Sequence, residues 1–440
     1  MSPAVAGPLA AGFLGLALWA PIALLILAGA RRVRRLSEVL SPGGGPGPGR
    51  SPGRIGGASP QPSLSVVVTA RDEGGRIEAT VRRLLEQRYP GLRIIVVNDR
   101  SRDDTGAILE RIRSEAGGDD SRLTVIHVRD LPRGWIGKCH ACKVGALGAR
   151  GDWILFTDGD VLLEEDDLLA RVVAYAEDAG LDHVAVLPDL GPMPVIQAGL
   201  VAAFGQVYLL AARAHEMDRD LPRGGAGVGA FNLIRRTAYD RIGGHDLVRM
   251  DLADDFKLGR LLKESGARQR LFGGLSLVRC AWHRGALGLI RGLEKNLFGG
   301  FGFSLPILLL WTIASALPAY GPALSGILVS VLGGRSAGPI ILLAAWMPFV
   351  LQTGLAFAAA SEGPRHGGFR PAAVALAQPM SILLLLVAAW NSAIRTVARG
   401  GVVWRDTFYP LAELRAGLVP PGAGRRLPER RSPGEDLSRS

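Results

Sequence analysis

Two pairs of carboxylates carry the chemistry legible in this chain. In Trp153 to Val161 (WILFTDGDV) an apolar run ends in Asp158 and Asp160, one residue apart. Alternate strand residues share a face, and the intervening Gly159 has no Cβ to hold the backbone away from a bound group. Two carboxylates so placed are a donor set for a hard divalent cation, Mg2+ or Mn2+, which takes oxygen ligands and commonly bridges protein carboxylates to substrate phosphates. An acidic pair at a strand end is also ordinary turn chemistry, so by itself it decides little. The second pair is Asp254-Asp255 in LADDFKLGRLL, where two acids open an amphipathic helix. Carboxylates in a first helical turn are favoured by the free amides there, and capping is the simpler reading of this pair taken alone.

Such groups must be positioned by the elements around them. From Leu64 to about Arg150, short β-branched runs alternate with amphipathic stretches: LSVVVTA, a helix over Ile77 to Gln87, RIIVVND, a helix over Thr105 to Glu115, then LTVIHV. The alternation predicts an α/β fold with a Rossmann-like, mostly parallel sheet covered by helices. Ligands of such sheets bind beyond the carboxyl ends of the strands. Those ends are Thr69-Ala70-Arg71-Asp72-Glu73, Asn98-Asp99-Arg100-Ser101 and Asp158-Gly159-Asp160, so three strand ends converge on acids. Asp103 and Asp104, and likewise Asp166 and Asp167, are expected to cap the helices that follow them. The glycine-rich GGAGVGAFNLIRR from Gly224 to Arg236 is a place where backbone amides can meet phosphates, although no Walker lysine-serine pair follows. Lys138, in Gly-Trp-Ile-Gly-Lys, is either a positive charge for an anionic ligand or a solvated surface lysine. Cys139-His140-Ala141-Cys142 has neither a second cysteine pair nor a histidine pair at ligand spacing, so its cysteines are expected to be small core residues on a helix.

Composition limits the setting. Of 440 residues, 48% are hydrophobic, which points to a membrane for part of the chain. The formal charge of +11 comes with arginines clustered beside apolar runs and in the tail, a pattern suited to anionic headgroups rather than nucleic acid. Three cysteines are too few for a disulfide framework and fit a reducing compartment. Leu9 to Ala30 has no charged residue and is followed by Arg31, Arg32, Arg34 and Arg35, so it reads as a spanning anchor with its C-terminal end inside the cell. Residues 41–62 are rich in Gly, Pro and Ser and read as a flexible linker. A largely apolar helix from Pro194 to His215, with Gln197, Gln206 and Tyr208, is expected to lie at the membrane interface. Ser304 to Leu332, Ile340 to Ala360 and Ala372 to Ile394 are candidate spans without a charged residue. Three single passes would put Arg395, Arg399 and Arg405 outside, against the positive-inside tendency, so a re-entrant hairpin kinked at Pro306, Pro318 and Pro322 is the alternative for the first run. Residues 419–440 read as disordered. The expected organisation is an anchor over 1–36, a linker over 37–62, a catalytic domain over 63–300, a transmembrane region over 301–400 and a basic cytoplasmic tail over 401–440.

Taken in order, VVVTARDE, VVNDRSRDDT, LPRGWIGKCHA, ILFTDGDV, GAFNLIRR with IGGH, and LADDFKLGRLL resemble the motifs of a membrane-anchored family 2 glycosyltransferase with a GT-A catalytic domain, particularly the hopanoid-biosynthesis-associated and carotenoid-type enzymes. The resemblance runs from about Leu64 to the end of the last apolar run. It implies inverting transfer from a nucleotide-sugar donor, a UDP-sugar foremost, to a membrane-lipid acceptor at the inner leaflet of the plasma membrane, with the catalytic domain cytoplasmic and no nucleic acid involved. By that resemblance Asp99 would hydrogen-bond the base, Ala70, Arg71 and Glu73 would line the nucleotide pocket, and Asp158 and Asp160 would bind the ribose and the metal on the diphosphate. Lys138 would add a second positive charge, Asp255 would be the general base, and Asp254 would hold or tune it. The Gln-x-x-Arg-Trp signature of processive synthases is absent; Arg279-Cys280-Ala281-Trp282-His283-Arg284 stands in that region, so one sugar is transferred rather than a chain grown. Trp282 is then an acceptor contact or an aromatic-belt residue, and Lys295-Asn296 faces phosphate or headgroups. Two rival readings are a polyprenyl-phosphate glycosyltransferase, favoured by Arg235, Arg236, Arg241 and Arg249, and a pseudoenzyme that binds a nucleotide sugar. A transporter is opposed by the uncharged apolar runs.

Overall fold

A computed structural model describes residues 3–41, 61–118, 122–280, 285–332, 339–362 and 370–426. The chain divides into two compact units that interleave in sequence: Arg35–Asp189, Glu216–Cys280 and Ala416–Ser440 make one, and Met1–Arg34, Leu190–His215 and Ala281–Arg415 the other. Residues 190–215 and 281–300 therefore separate from the sheet-bearing unit, although they fall inside the single 63–300 stretch expected from sequence. Trp282, His283 and Arg284, most of the linker and the last residues of the tail lie outside the described residues.

The first unit is built on an eight-stranded sheet. Its strands are β1 (Leu64–Ala70), β2 (Arg93–Asp99), β3 (Leu123–Val128), β4 (Trp153–Asp158), β5 (Val161–Leu163), β6 (His183–Asp189), β7 (Asn232–Arg235) and β8 (Gln269–Cys280), in the order β3-β2-β1-β4-β7-β6-β8-β5. β3, β2, β1 and β4 are parallel, and so are β6 and β8. β7 is antiparallel to both its neighbours and β5 to β8, so the sheet is mostly parallel but mixed. The Val- and Ile-rich runs of β1 and β2 are buried almost throughout, as strands covered on both faces must be. The cover packs closely. A Cβ on Gly145 of the helix Gly137–Gly148 would stand 2.3 Å from Val67 Cγ1, and Ala141, Cys142 and Ala146 of that helix share one cluster with Val67, Val97, Leu258 and Leu262.

The register brings the chemistry together. Ala70 lies beside Asn98 across β1 and β2, and Thr69 beside Asp158 across β1 and β4, so three carboxyl ends are adjacent. The helix expected over Ile77 to Gln87 ends at Leu85, and the one over Thr105–Glu115 is found as expected. Two expectations of disorder need revision. Leu36–Leu40 is a short helix whose Leu36 and Val39 are buried, and the tail is held as far as Arg426: Glu264 accepts the N–H groups of Gly422 and Gly424, each at 3.2 Å, while Val419 and Ala423 pack on the core.

The second unit holds, among the described residues, four helices long and apolar enough to cross a membrane: Val5–Arg32, Leu305–Leu332, Pro339–Ala358 and Pro371–Arg399. Leu305–Leu332 is one continuous helix with Pro318 and Pro322 inside it rather than two helices of a hairpin. A proline leaves the carbonyl four residues before it without a donor, and buried neighbours can replace that donor. Here Gln352 Nε2 donates to Pro318 O at 3.1 Å, which meets the carbonyl that Pro322 leaves open. The helix Val195–Ala211 packs in this unit with Pro371–Arg399, and Lys295 lies over the Trp404 ring at 3.6 Å.

Candidate active site

All nine residues singled out for the site stand in the sheet-bearing unit, most of them at or just beyond strand ends. Asp99 closes β2 and is only 3% exposed. The next residue, Arg100, turns back in a left-handed conformation (φ 57°) and grips both carboxylate oxygens, Nε on Oδ1 at 2.7 Å and Nη2 on Oδ2 at 2.9 Å. Arg71 Nη1 stands 4.0 Å from the same Oδ2. The loop after β1 is tied to the loop after β2: Asp72 N–H donates to Ser101 Oγ, Arg102 N–H to Asp72 Oδ1, and Glu73 N–H to Thr105 Oγ1, at 2.7–3.0 Å. Asp103 accepts from Gly74 N–H at 2.8 Å and Thr105 N–H at 3.1 Å, the capping role expected of it, whereas Asp104 and Asp167 make no side-chain cap. Ala70 is buried behind Gly159, and Gly159 O accepts from Thr80 Oγ1 at 3.1 Å, which holds the Asp-Gly-Asp turn in place.

Around Gly229 the two acidic pairs meet. Lys138 Nζ lies 2.8 Å from Asp158 Oδ1. Asp255 Oδ2 accepts Gly229 N–H at 2.6 Å and its Oδ1 accepts Phe256 N–H at 2.7 Å. A Cβ on Gly229 would stand 2.9 Å from Asp158 Oδ2, 2.9 Å from Lys138 Nζ and 3.0 Å from Asp255 Oδ2. One missing side chain thus marks the point where these three groups converge. The glycine-rich loop was expected to offer amides to phosphate; at Gly229 the amide goes to the Asp255 carboxylate instead. The capping reading holds in part: Asp255 accepts the first-turn Phe256 N–H, but it also takes Gly229 N–H from another loop, while Ala253 is the N-cap residue and Asp254 is buried.

Charge in this cluster is strongly perturbed. Burial pushes the Asp254 carboxyl up to about 7; Lys138 opposes the rise, and Asp255 and Asp158 add to it. Burial also works against the Lys138 ammonium, yet Asp158, Asp254 and Asp255 outweigh it and hold the group well above its ordinary value. The Asp160 carboxyl is raised by burial and by Asp158, against the pull of Arg76. A raised carboxyl has a definite consequence for stability. From about pH 4 to about pH 7 the unfolded chain has lost a proton that folded Asp254 keeps, so stability falls as pH rises, by at most about 4 kcal/mol. Asp254→Asn should remove that slope, which thermal unfolding in detergent at pH 5 and pH 8 would measure on metal-free protein.

The Asp158-Asp160 pair fits a hard cation. Its donors are carboxylate oxygens only, and burial together with the Asp158 charge raises the cost of charging Asp160, which a divalent ion would relieve. Each is now held by a side chain, Asp158 by Lys138 and Asp160 by Arg76 Nη1 at 3.0 Å, with Cys280 Sγ 3.8 Å from Asp160 Oδ1. Arg76 is about half exposed, and an ion pair of that kind is worth only about 0–1 kcal/mol, so it gives up the carboxylate at little cost.

Residues 65–243 match glycosyl transferase family 2. The chain carries a family 2 glycosyltransferase domain. The reaction class of the domain is transfer of a sugar from a nucleotide sugar, and the mostly parallel sheet with strand-end carboxylates is its GT-A fold. Among curated proteins the chain is similar to 4,4'-diaponeurosporenoate glycosyltransferase of Staphylococcus aureus (strain bovine RF122 / ET3-1), 25% identical over 269 residues, 60% of this chain and 69% of that protein. It is also similar to beta-monoglucosyldiacylglycerol synthase of Synechocystis sp., 28% identical over 208 residues, 45% of this chain and 40% of that protein. Among solved structures, the mannosyltransferase PcManGT from Pyrobaculum calidifontis, in complex with GDP-Man and Mn2+, superposes with a TM-score of 0.51 at 20% identity, over 87% of this chain and 99% of that one. That likeness is one of fold.

Several residues of the glycosyltransferase domain were not legible as site residues. Arg76 binds Asp160 from 84 residues away, and Arg100 directly follows the Asp99 it binds, which in retrospect marks it. Gly229 was visible only as part of a glycine-rich run. Cys142 and Cys139 are buried on a helix, as expected of small core residues, but they do not act as a pair: Cys139 Sγ donates to Asp251 O at 3.6 Å, and Cys142 faces other groups.

Proposed function

We propose that this chain transfers a single sugar from a nucleotide-sugar donor, with inversion, to the hydroxyl of a membrane lipid at the inner leaflet, assisted by Mg2+ or Mn2+. The observation that carries this reading is the convergence of Asp158, Lys138 and Asp255 on Gly229. An inverting transfer needs positive charge on the leaving diphosphate and, on the other side of the sugar, a carboxylate that takes the acceptor proton. In this reading Asp99 hydrogen-bonds the base and Ala70, Arg71 and Glu73 line the nucleotide. Asp158 binds the ribose and, with Asp160, holds the metal, which when bound supplies Lewis-acid help to the departing diphosphate. Lys138 adds its ammonium to the same phosphates. Asp255 Oδ2 takes the acceptor proton, oriented by the Gly229 and Phe256 amides. Asp254, in the same turn, tunes that carboxylate through its charge.

A lipid acceptor is supported by four long apolar helices and by the relatives, one named for a carotenoid acid and one for a diacylglycerol lipid. Arg31 and Arg32 at the end of the first helix, and Arg34 and Arg35 just beyond it, favour a cytoplasmic catalytic unit in the plasma membrane. The polyprenyl-phosphate reading loses support because Arg235 is engaged with Glu177 and Asp182 and stacks on Trp153, and Arg236 with Asp240 and Ala149 O.

The test is nucleotide release from a panel of UDP- and GDP-sugars by detergent-purified protein with membrane-lipid extract, with and without Mn2+ or Mg2+. Metal-dependent release that Asp160→Ala lowers by about 10^2-fold or more is expected. Release unaffected by chelation or by Asp160→Ala would remove the metal from the reading, and failure to bind any donor would remove the donor.

A further inference from the structure

A second cluster shares only Asp254 with the residues of the proposed transfer. One ligand atom each of Cys142, His245 and Asp254 lie within 4.8 Å of one another, and all three residues are buried, at 3%, 2% and 3% exposure. They come from three separate elements: the helix Gly137–Gly148, the 3-10 segment Gly244–Val248, and the first turn of Asp254–Glu264. We propose that Cys142, His245 and Asp254 form a buried three-ligand site for a transition-metal dication of the zinc class, distinct from the Asp158-Asp160 carboxylates.

The donor set decides the kind of ion. A thiolate with an imidazole and one carboxylate suits Zn2+, whereas Mg2+ and Mn2+ prefer all-oxygen sets such as Asp158-Asp160. The spacing is close to what such an ion needs: ligands bound at 2.0–2.3 Å in tetrahedral array stand about 3.5 Å apart, so the atoms close by no more than about 1.3 Å. A thiolate, a carboxylate and a dication sum to no net charge, the form a dry interior tolerates, while the Lys138 charge is met by Asp158. Without a cation, burial drives the Cys142 thiol well above its ordinary value and keeps the His245 ring neutral, pushed down to about 3 by burial and by Lys138 and Lys143. A neutral imidazole is the form that ligates.

The shell around the cluster fits the same role. A metal-bound histidine is normally fixed through its other ring nitrogen. Tyr239 Oη lies 2.8 Å from His245 Nδ1, which leaves Nε2 for the ion. Gly244, at φ 60°, makes that contact possible, because a Cβ there would stand 2.6 Å from the Tyr239 ring. The Phe156 ring closes on His245 edge-on at 4.8 Å between centroids. Bound here, the ion anchors the first turn of Asp254–Glu264 through Asp254, and Asp255, the next residue, is left to Gly229.

Zinc content is read without donor or acceptor, so the inference stands or falls separately from the sugar-transfer reading. Full-length protein purified in detergent and dialysed against EDTA would be assayed by elemental mass spectrometry. About one zinc per chain is expected in the wild type and in Asp160→Ala, and less than about a tenth in Cys142→Ser and His245→Gln. Apo protein loaded with Co2+ should show thiolate-to-cobalt charge-transfer absorption that Cys142→Ser lacks. The wild type needs no substitution to answer: less than a tenth of a zinc per chain together with a silent cobalt spectrum would overturn the site and leave a hydrogen-bonded core cluster. Zinc retained at full content in both variants would overturn the ligand assignment.

Discussion

Asp255→Asn should yield a folded protein that binds nucleotide sugar and transfers it about 10^2 to 10^4-fold more slowly, the range over which a general base contributes. The substitution keeps shape and removes the proton acceptor. It also disturbs a hydrogen-bonding pattern, because both carboxylate oxygens accept backbone N–H groups, from Gly229 at 2.6 Å and Phe256 at 2.7 Å. An amide has one oxygen, so one of these N–H groups would face an NH2 group, which costs about 1–3 kcal/mol. Donor affinity measured by titration, beside single-turnover transfer, separates the two effects. Unchanged affinity with collapsed turnover is the expected pattern; transfer at the wild-type rate would take the base role from Asp255.

Gly229→Ala should lower transfer by about 10^2-fold, the scale of an ångström's misplacement of reacting groups, while leaving stability nearly intact. The new methyl would meet Asp158 Oδ2, Lys138 Nζ and Asp255 Oδ2, all within 3.0 Å. These are ends of side chains, which move aside cheaply as far as folding is concerned. They are also the groups proposed to hold donor, diphosphate and acceptor proton, so the same movement is costly to the reaction. Gly227→Ala provides the contrast, since its Cβ would stand 2.3 Å from the backbone oxygen of Asp255 and cannot be accommodated without moving the helix Asp254–Glu264. Melting temperature and kcat measured together would show activity lost first at 229 and stability lost first at 227. An equally active Gly229→Ala protein would show that the crowding at this point has no bearing on the reaction.

The sequence by itself determined the elements and the chemistry at their ends. β-Branched runs alternating with amphipathic stretches specify a covered, mostly parallel sheet, and the acids at the ends of β2 and β4 and just past β1 sit where such sheets bind ligands. Those are local properties, written in contiguous residues. The four long apolar helices were readable for the same reason, since a span is a matter of length and composition. What only the tertiary structure decided is which distant residues share a space. β7 runs antiparallel between β4 and β6, which carries the glycine-rich loop before it onto Asp255. Gln352 supplies the donor that keeps a proline-bearing helix continuous, across 34 residues of chain. Glu264 binds a tail that composition alone described as disordered, across about 160 residues. In isolation Cys142 was a small core residue and His245 no more than the last letter of the IGGH motif. They become a site only when packing places both against Asp254, because burial, and the loss of water that makes a charge expensive, is a property of the assembled core and of no single stretch of sequence.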